Sequence, residues 1–360
     1  MTGGIMIINT LEIRNFKSIV ELQMECKNLN ILVGTNSSGK STIQQALLLA
    51  GQNMAENKGL NGSLINLGSF EENRCRYSSQ KEIEVTLVSG DNGCITKQFV
   101  LGDGEYKVIT KLNDEADCNE WNDNLSIQNR KLQYLSCHRI GPQDVYKKNM
   151  TLDDTIGING EYAISYLNRH GKDTLESALC KGNMDYTLLG QVNWWLSYIA
   201  DTMITTEDIP GTDLVKASYQ MYDLERIRPA NIGSGISYLV TVLIVCLSSP
   251  EKGIIDIENP EIHLHPSAQA KVCEFLYFIA SAGRQIFVET HSDHIFNGFR
   301  AGIATNSMKE ELLNIQFVYL NEQHVTEAIK VKVGKRGRIE NQRKDLFDQF
   351  DIDLNKMIGL

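Results

Sequence analysis

The stretch Gly34-Thr35-Asn36-Ser37-Ser38-Gly39-Lys40-Ser41-Thr42 constrains this chain more than any other. It follows the apolar run Leu29-Asn30-Ile31-Leu32-Val33 and leads into helix formers, Thr42-Ile43-Gln44-Gln45-Ala46-Leu47-Leu48-Leu49. Strand, G-x-x-x-x-G-K-S loop, helix is the context that a phosphate cradle needs. Backbone N–H groups of the loop point inward, and the helix adds the positive end of its dipole. Lys40 supplies a point charge toward β- and γ-phosphates, and the Ser41 hydroxyl can ligate Mg²⁺. From average glycine usage alone, such a string arises in on the order of one chain in a hundred. The expected ligand is ATP or GTP with Mg²⁺, held by Gly34, Asn36, Ser38, Gly39, Lys40, Ser41 and Thr42.

The remaining composition narrows the setting. A chain of 360 residues, 42 % of them hydrophobic, can build a full core. Only 6 residues are Pro and there is no low-complexity tract, which argues against long disordered arms. The formal net charge of -10 makes a poor generic polyanion binder, so any nucleic-acid contact needs a local basic patch. The 8 cysteines form no C-x-x-C pair and are irregularly spaced, which fits reduced thiols better than disulfides or zinc. The start, Met1-Thr2-Gly3-Gly4-Ile5-Met6, lacks the features of a signal peptide, and the apolar stretch Ile236 to Leu247 is too short to span a bilayer. The expectation is a cytoplasmic protein with no membrane partner.

Along the chain, residues 7–33 alternate apolar and polar side chains and predict two or three strands. Residues 81–110 predict an antiparallel meander with turns at Gly90-Asp91-Asn92-Gly93 and Gly102-Asp103-Gly104. The acidic, Asn-rich stretch 112–130 reads as an exposed loop or short helix, and Tyr134-Leu135-Ser136-Cys137 as a short strand. Residues 160–202 read as helical, ending in a core-facing helix from Leu188 to Asp201, with a strand pair near 213–228. From 236 to 320 helices alternate with buried strands (Gly253–Ile257, Gln285–Val288, Asn314–Leu320), the pattern of a parallel sheet.

Three further segments carry chemistry. Gly253-Ile254-Ile255-Asp256-Ile257-Glu258-Asn259-Pro260-Glu261 is an apolar strand ending in acids; a strand beside the phosphate-loop strand delivers such an acid toward Mg²⁺. Glu258 follows the run most directly and is assigned to the metal with Ser41. Glu261, three positions on, is the candidate to orient the attacking water. Ile232-Gly233-Ser234-Gly235-Ile236-Ser237 precedes an apolar helix and reads either as a plain loop or as a second anion site. Gln285 to Val288 is a strand that throws His291 from its carboxyl end, where it can donate to a γ-phosphate.

Taken in order, loop, Gly-Ser-Gly, acidic strand and strand-end histidine resemble the heads of ABC/SMC-type ATPases. The closer resemblance is to short stand-alone heads related to the OLD (overcoming lysogenization defect) proteins, with a C-terminal extension. It is carried by Leu11 to Ser18, Gly34 to Thr42, Asn66-Leu67-Gly68-Ser69-Phe70, Tyr134-Leu135-Ser136, His138-Arg139-Ile140-Gly141-Pro142, and Gly233 to Ser237. The most specific matches are Ile257-Glu258-Asn259-Pro260-Glu261-Ile262-His263-Leu264-His265-Pro266 and Glu289-Thr290-His291-Ser292-Asp293-His294.

The resemblance implies an α/β, ABC-type P-loop head with a mixed, mainly parallel central sheet, an antiparallel β-meander subdomain and a helical insertion. It implies one head over 1–360: an N-terminal lobe (1–111), an inserted helical part (112–230), a lobe with Gly-Ser-Gly, acidic strand and histidine (231–320), and a C-terminal extension (321–360). It also implies a homodimer, or higher even oligomer, that sandwiches two ATP molecules. Each ATP would touch Gly34–Thr42, Glu258 and His291 of one copy and Ser234-Gly235 of the other. Such heads often serve bacterial antiphage or toxin-like systems beside an effector such as a nuclease.

Three departures from the family stand out. Many relatives carry paired glutamates where this chain has Glu258-Asn259, and an amide cannot act as a base. The Mg²⁺-sensing glutamine has no clear counterpart, with Gly68-Ser69-Phe70 the region expected to replace it. The roughly 70 residues after the His291 strand are too few for a metal-binding TOPRIM module. Lys330-Val331-Lys332-Val333-Gly334-Lys335-Arg336-Gly337-Arg338 reads as a charged strand edge or as a contact to DNA or RNA. The alternatives to an effector-gating ATPase are a DNA-processing head and a nucleotide-gated scaffold with little turnover.

Overall fold

The computed structural model describes residues 8–358 apart from 91–92, 103–104, 114–115, 152, 183–184 and 222–224. The expected turns at 90–93 and 102–104, the acidic Asp114-Glu115 and the start of the chain fall wholly or partly outside the described residues.

The first segment runs β1 (Thr10–Phe16), β2 (Ile19–Glu25), β3 (Leu29–Val33), the glycine loop, α1 (Lys40–Gln52) and a short α2 (Phe70–Asn73). The meander follows as β4 (Glu82–Val88), β5 (Cys94–Gly102) and β6 (Glu105–Leu112). Next come α3 (Cys118–Asn124), β7 (Leu132–Leu135), β8 (Val145–Lys147), α4 (Ala163–His170), α5 (Leu188–Ala200), β9 (Thr202–Asp208) and β10 (Leu214–Met221). The last part is α6 (Ser234–Leu247), β11 (Ile254–Glu258), α7 (Pro266–Ser281), β12 (Gln285–Glu289), α8 (Asp293–Ala304), β13 (Leu313–Leu320), β14 (Thr326–Lys330) and α9 (Gln349–Ile358).

These strands make three sheets: an antiparallel β2-β1-β4-β5-β6, a small β8-β10-β9, and a central β14-β13-β3-β12-β11-β7. In the central sheet β13, β3, β12, β11 and β7 are parallel, and β14 returns antiparallel on β13. Both faces are covered, so the inner strands are apolar almost throughout rather than alternating. Ile31, Val33, Ile255, Ile257, Ile286 and Val288 join one core with α4–α8. Leu32, Ile254, Phe287 and Val318 point the other way, into a second core shared with α1 and the antiparallel sheet. Helix α1 is therefore clamped between two sheets, which fixes the loop that precedes it.

Three expectations needed correction. The 160–202 region is two helices with an irregular stretch and a 3-10 turn between them, not one helical block. The strand pair begins at Thr202, about ten residues earlier than read. Helix α5 stops at Asp201, which takes a left-handed φ of 48°, and Thr202-Met203-Ile204-Thr205-Thr206, β-branched at all but Met203, starts a strand at once. The polar stretch near 118–124 is not wholly exposed: Trp121 is fully buried in the second core, anchoring α3 there.

Candidate functional site

The glycine loop has the backbone that its sequence demands. Gly34 has φ 149° and Gly39 φ 107°. A Cβ on Gly34 would lie 2.0 Å from the Val318 carbonyl oxygen, and one on Gly39 2.4 Å from Thr326 Oγ1, so no side chain fits either place. The hairpin of β13 and β14 thus presses on the loop from behind. Thr326 Oγ1 donates to the Ser38 carbonyl at 2.8 Å. Helix α1 starts with no side-chain cap, leaving its first N–H groups free for an anion. The Ser38 hydroxyl is buried with no protein partner.

Asn36 through Thr42 line one open recess of about 330 Å³, together with Ser18, Glu289 and His291. The Lys40 ammonium donates to the carbonyls of Gly34 (3.0 Å) and Thr35 (2.8 Å) and stands 3.9 Å from Glu289 Oε1. Burial lowers its pKa, and the Glu289 charge opposes that shift. Ser41 Oγ donates to Glu289 Oε2 at 2.7 Å. His291 Nε2 stands 3.6 Å from Glu289 Oε1, with the ring 41 % exposed.

The strand-end acids are distributed differently from the sequence reading. Of the two acid-tipped strands, β12 with Glu289 lies beside β3, and β11 with Glu258 lies one strand further out. Glu258 is already engaged: Tyr134 donates to Oε1 and the Cys137 N–H to Oε2, each at 2.9 Å. It is not among the residues lining the recess. Glu261 is buried and turned inward, taking bonds from Thr290 Oγ1 (2.7 Å) and the His291 N–H (3.0 Å). Burial raises its pKa, so it resists ionisation in the free protein.

Asn259 sits at a left-handed φ of 44°, a conformation that Asn tolerates better than Glu. Its N–H donates to the Glu289 carbonyl at 2.8 Å. Arg139, quoted from sequence only as part of a motif, binds this loop from below. It donates to the carbonyls of Ser136 (3.2 Å), Glu258 (2.7 Å) and Asn259 (2.5 Å). Asp256, two residues before Glu258, is fully buried and bonded by the Gln44 amide of α1. Glu289, Asp256 and Arg139 went unassigned. Glu289 could have been found, because it ends its apolar strand as directly as Glu258 does.

Ser234 and Gly235 begin α6, which no side chain caps, and do not line the recess. A Cβ on Gly235 would lie 2.4 Å from the His263 carbonyl oxygen, so this helix start abuts the loop after β11. His263 packs on Tyr238, with ring centroids 5.4 Å apart, and His265 Nδ1 caps α7. Gly68-Ser69-Phe70 brings no glutamine to the site: Ser69 and Glu72 form a capping box for α2, and Phe70 is buried. Among the described residues no group of three or more His, Cys, Asp or Glu could hold a metal by itself. Mg²⁺ commonly binds through one or two protein oxygens plus phosphate, and Ser41 with an adjacent carboxylate is such a donor set.

The parallel sheet, the glycine loop closed by β13–β14 and the acids at neighbouring strand ends define a P-loop nucleotide-binding head of the ABC type. The family model described as "AAA ATPase domain" matches residues 6–136 and 184–296, more than half of the sequence, and the chain belongs to that family. No curated protein matches it by sequence.

Solved structures with the same fold include an Smc head bound to the C-winged helix domain of ScpA. It has a TM-score of 0.58 and 15 % identity, and the match covers 91 % of this chain and 98 % of that one. Another is an Smc head with an extended coiled coil, bound to the C-terminal domain of ScpA derived from Pyrococcus furiosus. Its TM-score is 0.56 at 13 % identity, covering 98 % of this chain and 100 % of that one. The chain is thus an AAA-type ATPase-family protein with an SMC-like, ABC-type head. No helix among the described residues is long and apolar enough to cross a membrane.

Proposed function

We propose that this protein is a Mg²⁺-dependent ATPase that pairs around ATP and gates an effector protein. The observation that carries it is the convergence of the free α1 N-terminus, Lys40, Ser41, Glu289 and His291 on one recess. The loop amides and Lys40 bind the phosphates, and Lys40 is held ready by two loop carbonyls that a phosphate would replace. Mg²⁺ would be held by Ser41 and a strand-end acid, Glu258 by the family pattern or Glu289 by contact, and would supply charge neutralisation at the phosphates. His291, at the open side of the recess, contacts the γ-phosphate.

The second copy supplies Ser234-Gly235, which lie away from the recess of their own chain. ATP then favours the closed pair because only that state completes its contacts, and hydrolysis removes the preference. Gating a nuclease or toxin in a cytoplasmic antiphage system is the role that the OLD-like motifs favour. Contact with a DNA or RNA backbone is a second reading. The exposed Lys330, Lys332, Lys335 and Arg336 surround one recess of about 730 Å³ that Glu310 and Glu340 also line.

The test is ATP turnover and binding by wild type and Lys40→Ala. Wild-type turnover that Lys40→Ala abolishes is the expected result; equal turnover in the two removes the reading. A nucleotide-gated scaffold would instead bind ATP and pair without consuming it.

A further inference from the structure

We propose that Glu289, and not Glu258, is the carboxylate that holds Mg²⁺ with Ser41. The inference rests on the ATP-binding reading above and goes beyond it by assigning the metal to a different strand. Strand register pairs Leu32 with Glu289 and Glu289 with Glu258, so the two acids sit level on adjacent strands. Each strand step is about 4.8 Å, which starts Glu258 roughly twice as far from the phosphate-loop strand as Glu289.

Contacts divide the two acids further. Glu289 Oε2 already accepts from Ser41 Oγ at 2.7 Å. Cis oxygen ligands of an octahedral Mg²⁺ lie about 2.9 Å apart, so a cation could bridge the two oxygens with little movement, the O–H bond turning away and keeping its proton. The second oxygen of Glu289 faces the Lys40 ammonium (3.9 Å), which is opposite in charge, and His291 Nε2 (3.6 Å). Glu258 would have to give up the Tyr134 hydroxyl and the Cys137 amide to reach a metal. Its main chain is also tied down by Arg139.

The test compares Glu289→Gln with Glu258→Gln in the full chain, using Mn²⁺ read by EPR in the presence of a non-hydrolysable ATP analogue. Affinity for the same analogue in EDTA is measured alongside. Glu289→Gln is expected to weaken Mn²⁺ retention at least about 10-fold, and Glu258→Gln about 3-fold or less. In EDTA, Glu289→Gln should bind the analogue as tightly as wild type or more tightly, because a negative charge facing the phosphates is gone. That opposite response to metal and to bare nucleotide separates a metal ligand from a merely structural residue.

Greater Mn²⁺ loss in Glu258→Gln, equal losses in both, or an equal loss of analogue with and without metal in Glu289→Gln overturns the assignment. Should Glu289→Gln fail to fold, Glu289→Asp keeps the charge but shortens its reach, and undiminished Mn²⁺ retention there overturns it too. Wild type that binds no analogue at all defeats the ATP reading itself, an outcome distinct from these.

Discussion

Arg139→Met is expected to unfasten the loop after β11 while keeping the aliphatic stem. Arg139 is only 4 % exposed, and its guanidinium holds three carbonyls, those of Ser136, Glu258 and Asn259. Hydrogen bonds to a charged group contribute about 1.5–3 kcal/mol each, or roughly 4–9 kcal/mol for three. The cost of burying the cation stands against this. Desolvation, the largest influence, draws the Arg139 pKa well below its ordinary value, down to about 10, which corresponds to roughly 3 kcal/mol. Met avoids that cost but leaves the carbonyls unpaired, so the net loss should be about 1–6 kcal/mol. Unfolding entropy of about 2.1 cal/mol/K per residue converts this to a Tm drop on the order of 1–8 °C for a chain of this size. Calorimetry reads the drop, and amide hydrogen exchange should quicken across Asn259 to Leu264. A Tm within about 1 °C of wild type, with unchanged exchange in that loop, would refute the reasoning.

Burial, reinforced by the nearby Glu258 and Glu289 charges, holds Asp256 well above the ordinary carboxyl range, with the Gln44 amide working the other way. The unfolded chain releases that proton near pH 4 and the folded chain later, so above pH ~4 wild-type stability falls by about 1.4 kcal/mol per pH unit until the folded pKa. Asp256→Asn lacks this loss, and its Tm advantage over wild type should widen as the pH rises above about 4; a flat difference counts against a buried neutral acid. Gly235→Ala places a methyl 2.4 Å from the His263 carbonyl oxygen. It should cost about 1–3 kcal/mol and weaken ATP-driven pairing by light scattering; normal melting and pairing would show that the contact yields freely. Reversing Lys335, Arg336 and Arg338 to Glu should abolish any salt-sensitive binding of DNA or RNA; wild type without binding at low salt would exclude the backbone-contact reading.

The glycine loop, its flanking strand and helix, and the apolar strands ending in Glu258 and Glu289 were legible in the sequence because each depends on neighbours in the chain. Side-chain periodicity and glycine placement are local properties, and they sufficed for an α/β nucleotide-binding head. Which strand end faces Ser41 was not legible. Sheet order arises from β3 pairing with a strand over 200 residues further on, and no short-range pattern encodes that this strand is β12, with β11 beyond it. The same long-range packing turned Glu261 inward onto Thr290 and His291, buried Asp256 against Gln44, and drew Arg139 under the loop after β11. Composition could supply these charged groups, but only the folded sheet decides which of them meets solvent and which must find its partner inside.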